Sequence, residues 1–207
     1  MKIDIVDNFL TSYQVDTLVK IFNGKARGSG LFPWLFINDL NDVEYIGNYY
    51  FSKNIVEEWV VLDDYWIHIF DPLLAKLNIS TLSVYRLKVN MHPGTQRRVN
   101  HAVHRDYGPD FGLRTALYYV NDTNGPTVFG TGWRKTKVEC KRNRVALFDG
   151  SIPHHSTTPT NSNWRCTINI DYKPLKLFHI EEILKVLFQI KRIDPAILTV
   201  RWEAGMM

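Results

Sequence analysis

From Ser80 to Lys173 the chain is broken into short runs rich in valine, tyrosine, phenylalanine and threonine. They are TLSVYRLKVNM, LRTALYYVN, PTVFG, KTKVEC, RVALFDG and RCTINIDY. Turn-forming stretches stand between them: His92-Pro93-Gly94, NDTNGP at 121–126, GTG at 130–132 and KRN at 141–143. β-Branched and aromatic residues suit a pleated, half-buried surface, and Gly, Pro and Asn punctuate it. Many short strands at this spacing predict a sandwich or barrel, not alternating β and α units.

The flanks carry a different pattern. IDIVDNFL opens as a short strand or extended entry. Thr11 or Ser12 then caps a helix through about Phe22, with Val15, Leu18, Val19 and Phe22 on one face. GKARGSG (24–30) is a glycine-rich loop with no Lys-Ser/Thr after it, so it is not a phosphate-binding loop. Asn54 to Leu77 reads as helical, with Pro72 ending or restarting a helix, and His68 within it is a packed or surface residue. A last helix is expected from about Ile180 to Ile190, and Pro195 closes the regular region. The expected architecture is mainly β with flanking helices (α+β). One domain spans 1–207: a largely helical buttress (1–79), a β core (80–173) and a C-terminal helical extension (174–207).

Composition sets outer bounds. A chain of 207 residues can bury one real core. Hydrophobic residues at 45% and charged residues at 22% exclude a disordered or fibrous chain. The net charge of +4 permits an anionic partner without requiring one. Two cysteines, Cys140 and Cys166, are too few for a disulfide-built fold and read as free thiols. No signal-peptide pattern or membrane-length apolar run is present. The expected place is the cytoplasm, or a host's cytoplasm if the chain is virus-encoded. Arg97, Arg98, Arg105, Lys135, Lys137, Lys141, Arg142 and Arg144 give a basic tendency that a solvated surface explains better than nucleic acid does.

Chemistry concentrates in a few residues. His104-Arg105-Asp106 is followed, 48 residues after Asp106, by His154 and 11 residues later by Arg165. On an extended strand residues i and i+2 point the same way, so His104 and Asp106 can reach one small ion. A third ligand must come from a distant strand, and RVALFDGSIPHHS brings histidines to the end of one. Two imidazoles and a carboxylate suit a facial non-haem Fe(II) site with open positions, and zinc is also compatible with these donors. Adjacent strand residues face opposite ways, so only one of His154 and His155 can ligate. In RCTINIDY, alternation puts Arg165, Thr167 and Asn169 on one face, against Cys166, Ile168 and Ile170. An inward Arg165 needs a partner, and its fork suits a carboxylate.

Three stretches carry a resemblance: VYRLKVNMHPGTQRRVNHAVHRDY, TALYYVNDTNG and NRVALFDGSIPHHSTTPTNSNWRCTINIDY. Together they cover about residues 80–173. The chain resembles the 2-oxoglutarate- and Fe(II)-dependent dioxygenases, in the prolyl-4-hydroxylase-like branch and among family members of marine bacteriophages. The resemblance implies a double-stranded β-helix, or jelly roll. It implies Fe(II) held by His104, Asp106 and His154, the histidine favoured by the spacing to the arginine. It implies 2-oxoglutarate held through Arg165, with Tyr119 and Thr167 as hydroxyl partners. Asp106 stands where halogenating relatives carry a small residue, so hydroxylation is the implied reaction, with succinate and CO₂ released.

The implied substrate is a peptidyl side chain such as proline, with O₂ as co-reactant. A small molecule or nucleobase, including oxidative demethylation, is the second expectation. A non-catalytic β-sandwich that uses metal for folding is the third. Sequence leaves the oligomeric state open.

Overall fold

The computed structural model describes residues 1–26, 31–38 and 49–174. Met1–Pro174 form one compact unit, apart from Leu175–Met207. The helix expected near Ile180–Ile190 lies outside the described residues.

The chain opens with β1 (Ile3–Val6) and α1 (Ser12–Phe22). Thr11 caps the helix: its hydroxyl accepts from the Gln14 N–H at 3.4 Å, and the Gln14 side-chain oxygen accepts from the Thr11 N–H at 3.0 Å. Two donors without helical partners are thereby satisfied. The buried stripe is Val15, Leu18, Ile21 and Phe22, with Val19 at its margin.

Asn54–Leu77 departs from the helical expectation. After β2 (Leu35–Ile37) come β3 (Tyr50–Glu57) and β4 (Val60–Val61), which pair as a hairpin. Its two turn residues, Glu58 and Trp59, have φ of 49° and 63°. Positive φ at both centres matches the right-handed twist of paired strands. The β-branched Ile55, Val56, Val60 and Val61 favour extension over helix. Only Asp71–Leu77 is helical (α2), preceded by a 3-10 turn over Ile67–Phe70. Pro72 sits in the first turn of α2, where its missing N–H is harmless. The N-terminal part therefore contributes strands as well as helices to the fold.

The remaining strands are β5 (Val84–Pro93), β6 (Arg114–Tyr119), β7 (Thr123–Phe129), β8 (Thr136–Cys140), β9 (Arg144–Asp149), β10 (His154–His155) and β11 (Trp164–Tyr172). An eight-stranded antiparallel sheet runs β1-β9-β6-β11-β5-β3-β2, with β4 on β3, and a three-stranded sheet runs β10-β7-β8. NDTNGP is not a simple turn. Thr123 already belongs to β7, and the register against β8 shifts between Thr123 and Thr127. This bulge carries Gly125 so close to the 157–159 segment that a Cβ there would meet the Thr157 carbonyl oxygen at 2.9 Å.

Alternation sorts each strand of the large sheet between two environments. Leu87, Val89, Ala116, Tyr118, Cys166, Ile168 and Ile170 join the main core with α1 and α2 residues. On the opposite face, Leu117, Tyr119, Ala146 and Phe148 pack against Phe129, Val138 and Cys140 of the small sheet. The two sheets thus face one another, and the polar residues of β5 and β11 line the space between them. Cys140 and Cys166 are buried free thiols whose pKa values burial pushes up. Among the described residues no helix is long and apolar enough to cross a membrane.

Candidate metal centre and anion pocket

His104 does not lie in a long strand. It makes a single antiparallel bridge to His154, with backbone N–H···O bonds of 2.9 and 2.8 Å in the two directions. The chain then bends, and the Asp106 N–H donates to the Gly150 carbonyl at 3.0 Å. Loop 101–107 is thereby laid along the turn between β9 and β10. Ligand atoms of His104, Asp106 and His154 all lie within 4.8 Å of one another. His154 Nε2 is 3.6 Å from Asp106 Oδ2.

Each ring is oriented from behind. His154 Nδ1 is 2.9 Å from the Ile152 carbonyl oxygen, and His104 Nδ1 is 3.3 Å from that of Ala102. A carbonyl only accepts, so each Nδ1 carries the proton and each Nε2 lone pair is free. Burial, and then His154, lower the His104 pKa, which keeps its ring neutral. Phe129 and Phe148 pack on the His154 ring at centroid distances of 5.6 and 5.1 Å and limit its rotation. His155 faces elsewhere, with Nδ1 near the Ser156 carbonyl at 3.2 Å. Strand alternation thus separates the two histidines, and His154 is the one beside His104 and Asp106.

Asp106 is held by residues that sequence reasoning missed. Arg86 donates to Asp106 Oδ1 and to Asp171 Oδ2, both at 2.8 Å. The Thr115 hydroxyl lies 3.1 Å from Asp106 Oδ2 and 2.6 Å from Asp171 Oδ1. Burial, with the Asp106 carboxylate beside it, pushes Asp171 up to about 7. Asp171 continues the alternation Arg165, Thr167, Asn169, so its inward face was legible; its partner Arg86, on another strand, was not.

At the far end of the cavity stands Arg165, 1% exposed. Its Nε donates to the Gly125 carbonyl and its terminal nitrogen to Thr127 Oγ1, both at 2.8 Å. Neither partner is charged, and among the described residues no carboxylate pairs with it. The close-packed Gly125 bulge supplies that carbonyl. Thr167 lines the cavity beside Arg165. Tyr119 does not. Its hydroxyl donates to Thr127 Oγ1 at 2.9 Å, one hydrogen bond behind the wall. The cavity holds about 220 Å³ and is bordered by His104, Asp106 and His154 as well as Arg165.

Of the basic residues, Arg105 borders the cavity, whereas other conspicuous side chains stand away from it. Trp133 is exposed and carries Arg134 over its ring at 4.5 Å, while Trp164 packs against the main core. Lys141 and Arg144 pair with Asp7 at 2.9 and 2.7 Å, and Arg142 pairs with Asp16. His68 is on the surface beside Asp71. His101, three residues before His104, is buried with Nδ1 2.6 Å from Ser156 Oγ.

No family model matches the chain, and no curated protein matches its sequence. Solved structures do match. A prolyl hydroxylase from Trichoplax adhaerens, in complex with a hypoxia inducible factor oxygen degradation domain peptide, aligns over 83% of each chain at 20% identity and a TM-score of 0.53. A 2OG-Fe(II) oxygenase family oxidoreductase from Burkholderia pseudomallei aligns over 83% of this chain and 85% of its own, at 11% identity and a TM-score of 0.57. HygX from Streptomyces hygroscopicus, with nickel, 2-oxoglutarate and hygromycin B bound, aligns over 84% and 83%, at 10% identity and a TM-score of 0.53. The shared property is the fold. It is a double-stranded β-helix, as the strand pattern and the resemblance together implied.

Proposed function

We propose that the chain is a 2-oxoglutarate- and Fe(II)-dependent dioxygenase that hydroxylates a peptidyl side chain, proline foremost, and releases succinate and CO₂. One observation supports this above all: a two-imidazole, one-carboxylate donor set and a buried arginine with no acidic partner among the described residues border the same cavity. The donor chemistry fits Fe(II), with His104, Asp106 and His154 as the residues that would hold it. The guanidinium fits a carboxylate of the co-substrate, since a buried cation needs an anion to offset its desolvation. A site built only to hold zinc would not call for Arg165. Bound together, ion and co-substrate would supply the oxidising power to convert a C–H bond into C–OH with O₂.

The chain's own residues do the rest. Arg86 and Thr115 aim the Asp106 carboxylate. The Ile152 and Ala102 carbonyls fix the histidine tautomers. Arg165 and Thr167 hold the co-substrate, and Tyr119 steadies Thr127 behind them. Phe129 and Phe148 keep water from the back of His154. The peptide assignment rests on the prolyl-hydroxylase resemblance and on the peptide carried by the Trichoplax structure.

The test is aerobic incubation with Fe(II) and 2-oxoglutarate, following succinate and the mass of a peptide panel. Succinate formation with a gain of one oxygen on a proline peptide is expected. Absence of any Fe(II)-dependent succinate points instead to a structural metal module. Turnover of a nucleobase or free metabolite, with none on any peptide, overturns the peptide assignment alone.

A further inference from the structure

The cavity wall built by β5 and β11 is a ladder of polar pairs. Across it, Arg86 faces Asp171, Lys88 faces Asn169, Asn90 faces Thr167 and His92 faces Arg165. Three of these rungs hold a residue with assigned work. Arg86 and Asp171 satisfy one another and steady Asp106. Arg165, with Thr167 beside it, is reserved for the co-substrate. The rung between them is not satisfied by the protein.

Among the described residues Lys88 Nζ has a single hydrogen bond, to the Tyr50 hydroxyl at 3.3 Å, and lies 5.3 Å from that ring's centroid. Among the described residues it has no acidic partner. Its neighbours across the sheet, Asn169 on one side and Asn54 on the other, are neutral. The side chains of Asn90 and Asn169 make no hydrogen bond among the described residues, although both line the cavity. Three adjacent polar side chains therefore face the cavity short of partners, and one of them is a cation.

Charge matching points the same way. Arg86 is balanced by Asp171. A divalent ion would be balanced by Asp106 and one carboxylate of 2-oxoglutarate, and Arg165 by the other. Lys88 is left over. It lies four residues along β5 from the Arg165 rung, roughly 13 Å away, but only two from Arg86, roughly 6.5 Å. Lys88 is thus toward the metal end of the wall, away from the co-substrate's anchoring carboxylate.

We infer that Lys88, with Asn90 and Asn169, forms an anion subsite that binds a carboxylate of the primary substrate. This rests on the dioxygenase reading and narrows its substrate class to acids. An ammonium point charge flanked by amide donors suits a carboxylate, whose oxygens accept from all three. The carboxylate has two possible sources: the α-carboxylate of a free amino acid, or an acidic side chain beside the hydroxylated residue of a peptide.

Anaerobic calorimetry on the full chain with Fe(II) and 2-oxoglutarate decides between them. Two probe pairs are titrated: L-proline against L-prolinamide, and an amidated Asp-Pro peptide against its Asn-Pro counterpart. In one pair the acid should bind about tenfold more tightly than the amide, as a charge-assisted bond provides. That pair identifies the source. Lys88→Met should reduce the preference to less than twofold, and Lys88→Arg should restore it, with 2-oxoglutarate affinity within twofold in both. Equal binding of acid and amide in both pairs, or no binding by any probe, overturns the inference. So does a preference that survives Lys88→Met. A loss of 2-oxoglutarate affinity in Lys88→Met overturns it too, by placing Lys88 in the co-substrate site. If 2-oxoglutarate itself does not bind, the dioxygenase reading fails separately, and the same pairs titrated into the chain alone still test Lys88.

Discussion

The two ends of the cavity are built on opposite electrostatic terms. At the metal end both carboxylates are paired within the protein: Arg86 bridges Asp106 and Asp171, and Thr115 spans the same two carboxylates. Of the candidate ligands, His104 stands on a single bridge, Asp106 on a bend and His154 on the two-residue strand β10. At the other end Arg165 stands on the long strand β11, fully buried, and touches only neutral oxygens. Irregular backbone needs side-chain bracing to fix a carboxylate. A regular strand and two neutral acceptors fix the arginine without an acid, and so leave its charge open for a ligand.

The contrast is broken most severely at the ligands themselves. His154→Ala should abolish metal binding and Fe(II)-dependent succinate formation, measured by calorimetry and succinate assay. His155→Ala, with its ring turned away, should retain metal binding. The reverse pattern would transfer the ligand role to His155.

Next in size is the bracing of the metal end. Arg86→Met strands two buried carboxylates, and breaking a buried pair costs about 3 kcal/mol. Denaturant unfolding of the metal-free protein should show that loss, and metal affinity should fall about tenfold or more. An Arg86→Met protein of unchanged stability would contradict the pairing described at this end.

Arg165 should behave in the opposite sense. Arg165→Met removes a buried cation without stranding an acid, so the ligand-free protein should unfold at an unchanged or higher denaturant concentration. The variant should lose 2-oxoglutarate binding. Arg165→Lys keeps the charge but not the fork, and its 2-oxoglutarate affinity should fall by about 2 kcal/mol, roughly 30-fold. Undiminished affinity in both would remove Arg165 from the co-substrate site.

The effect that is smallest at neutral pH, and grows only on acidification, is beside Arg165. Burial, and then Arg165, lower the His101 pKa to about 4 from 6.5. Burial also holds His92 well below its ordinary value, and its ring lies 4.4 Å from that of His101. Below pH 6.5 the unfolded chain takes up protons that these folded histidines refuse. Stability should therefore fall as pH drops from 6.5 towards 4, by about 1 kcal/mol per histidine for each pH unit crossed. Thermal melts of His101→Gln should show a shallower decline. An identical decline would place the acid sensitivity elsewhere.

The pattern of particular residues shows how far a sequence can be read. Alternation in RCTINIDY separated Arg165, Thr167 and Asn169 from Cys166, Ile168 and Ile170, and the structure keeps that division. The same rule applied to VYRLKVNMH would have marked Arg86, Lys88, Asn90 and His92 as one polar face. Which way that face pointed depended on β5 pairing with β11, more than seventy residues away in sequence. NIVEEWVV failed as a helix because its apolar residues fit a short helical stripe as well as a β-hairpin. Pairing of β3 with β5, and the left-handed turn at Glu58-Trp59, decided between the two.

What the sequence determined by itself is local: the strand runs, the cap at Thr11, the inward set on β11, and residue types able to hold a metal and a carboxylate. These follow from periodicity and side-chain chemistry, which each segment carries with it. Only the tertiary structure decided that His154 and not His155 meets His104 and Asp106, that Arg86 and Asp171 brace the carboxylate, and that Tyr119 stands behind Thr127. Those outcomes depend on strand register and on contacts distant in sequence. A one-residue change of register turns every side chain to the other face, and no local preference specifies it.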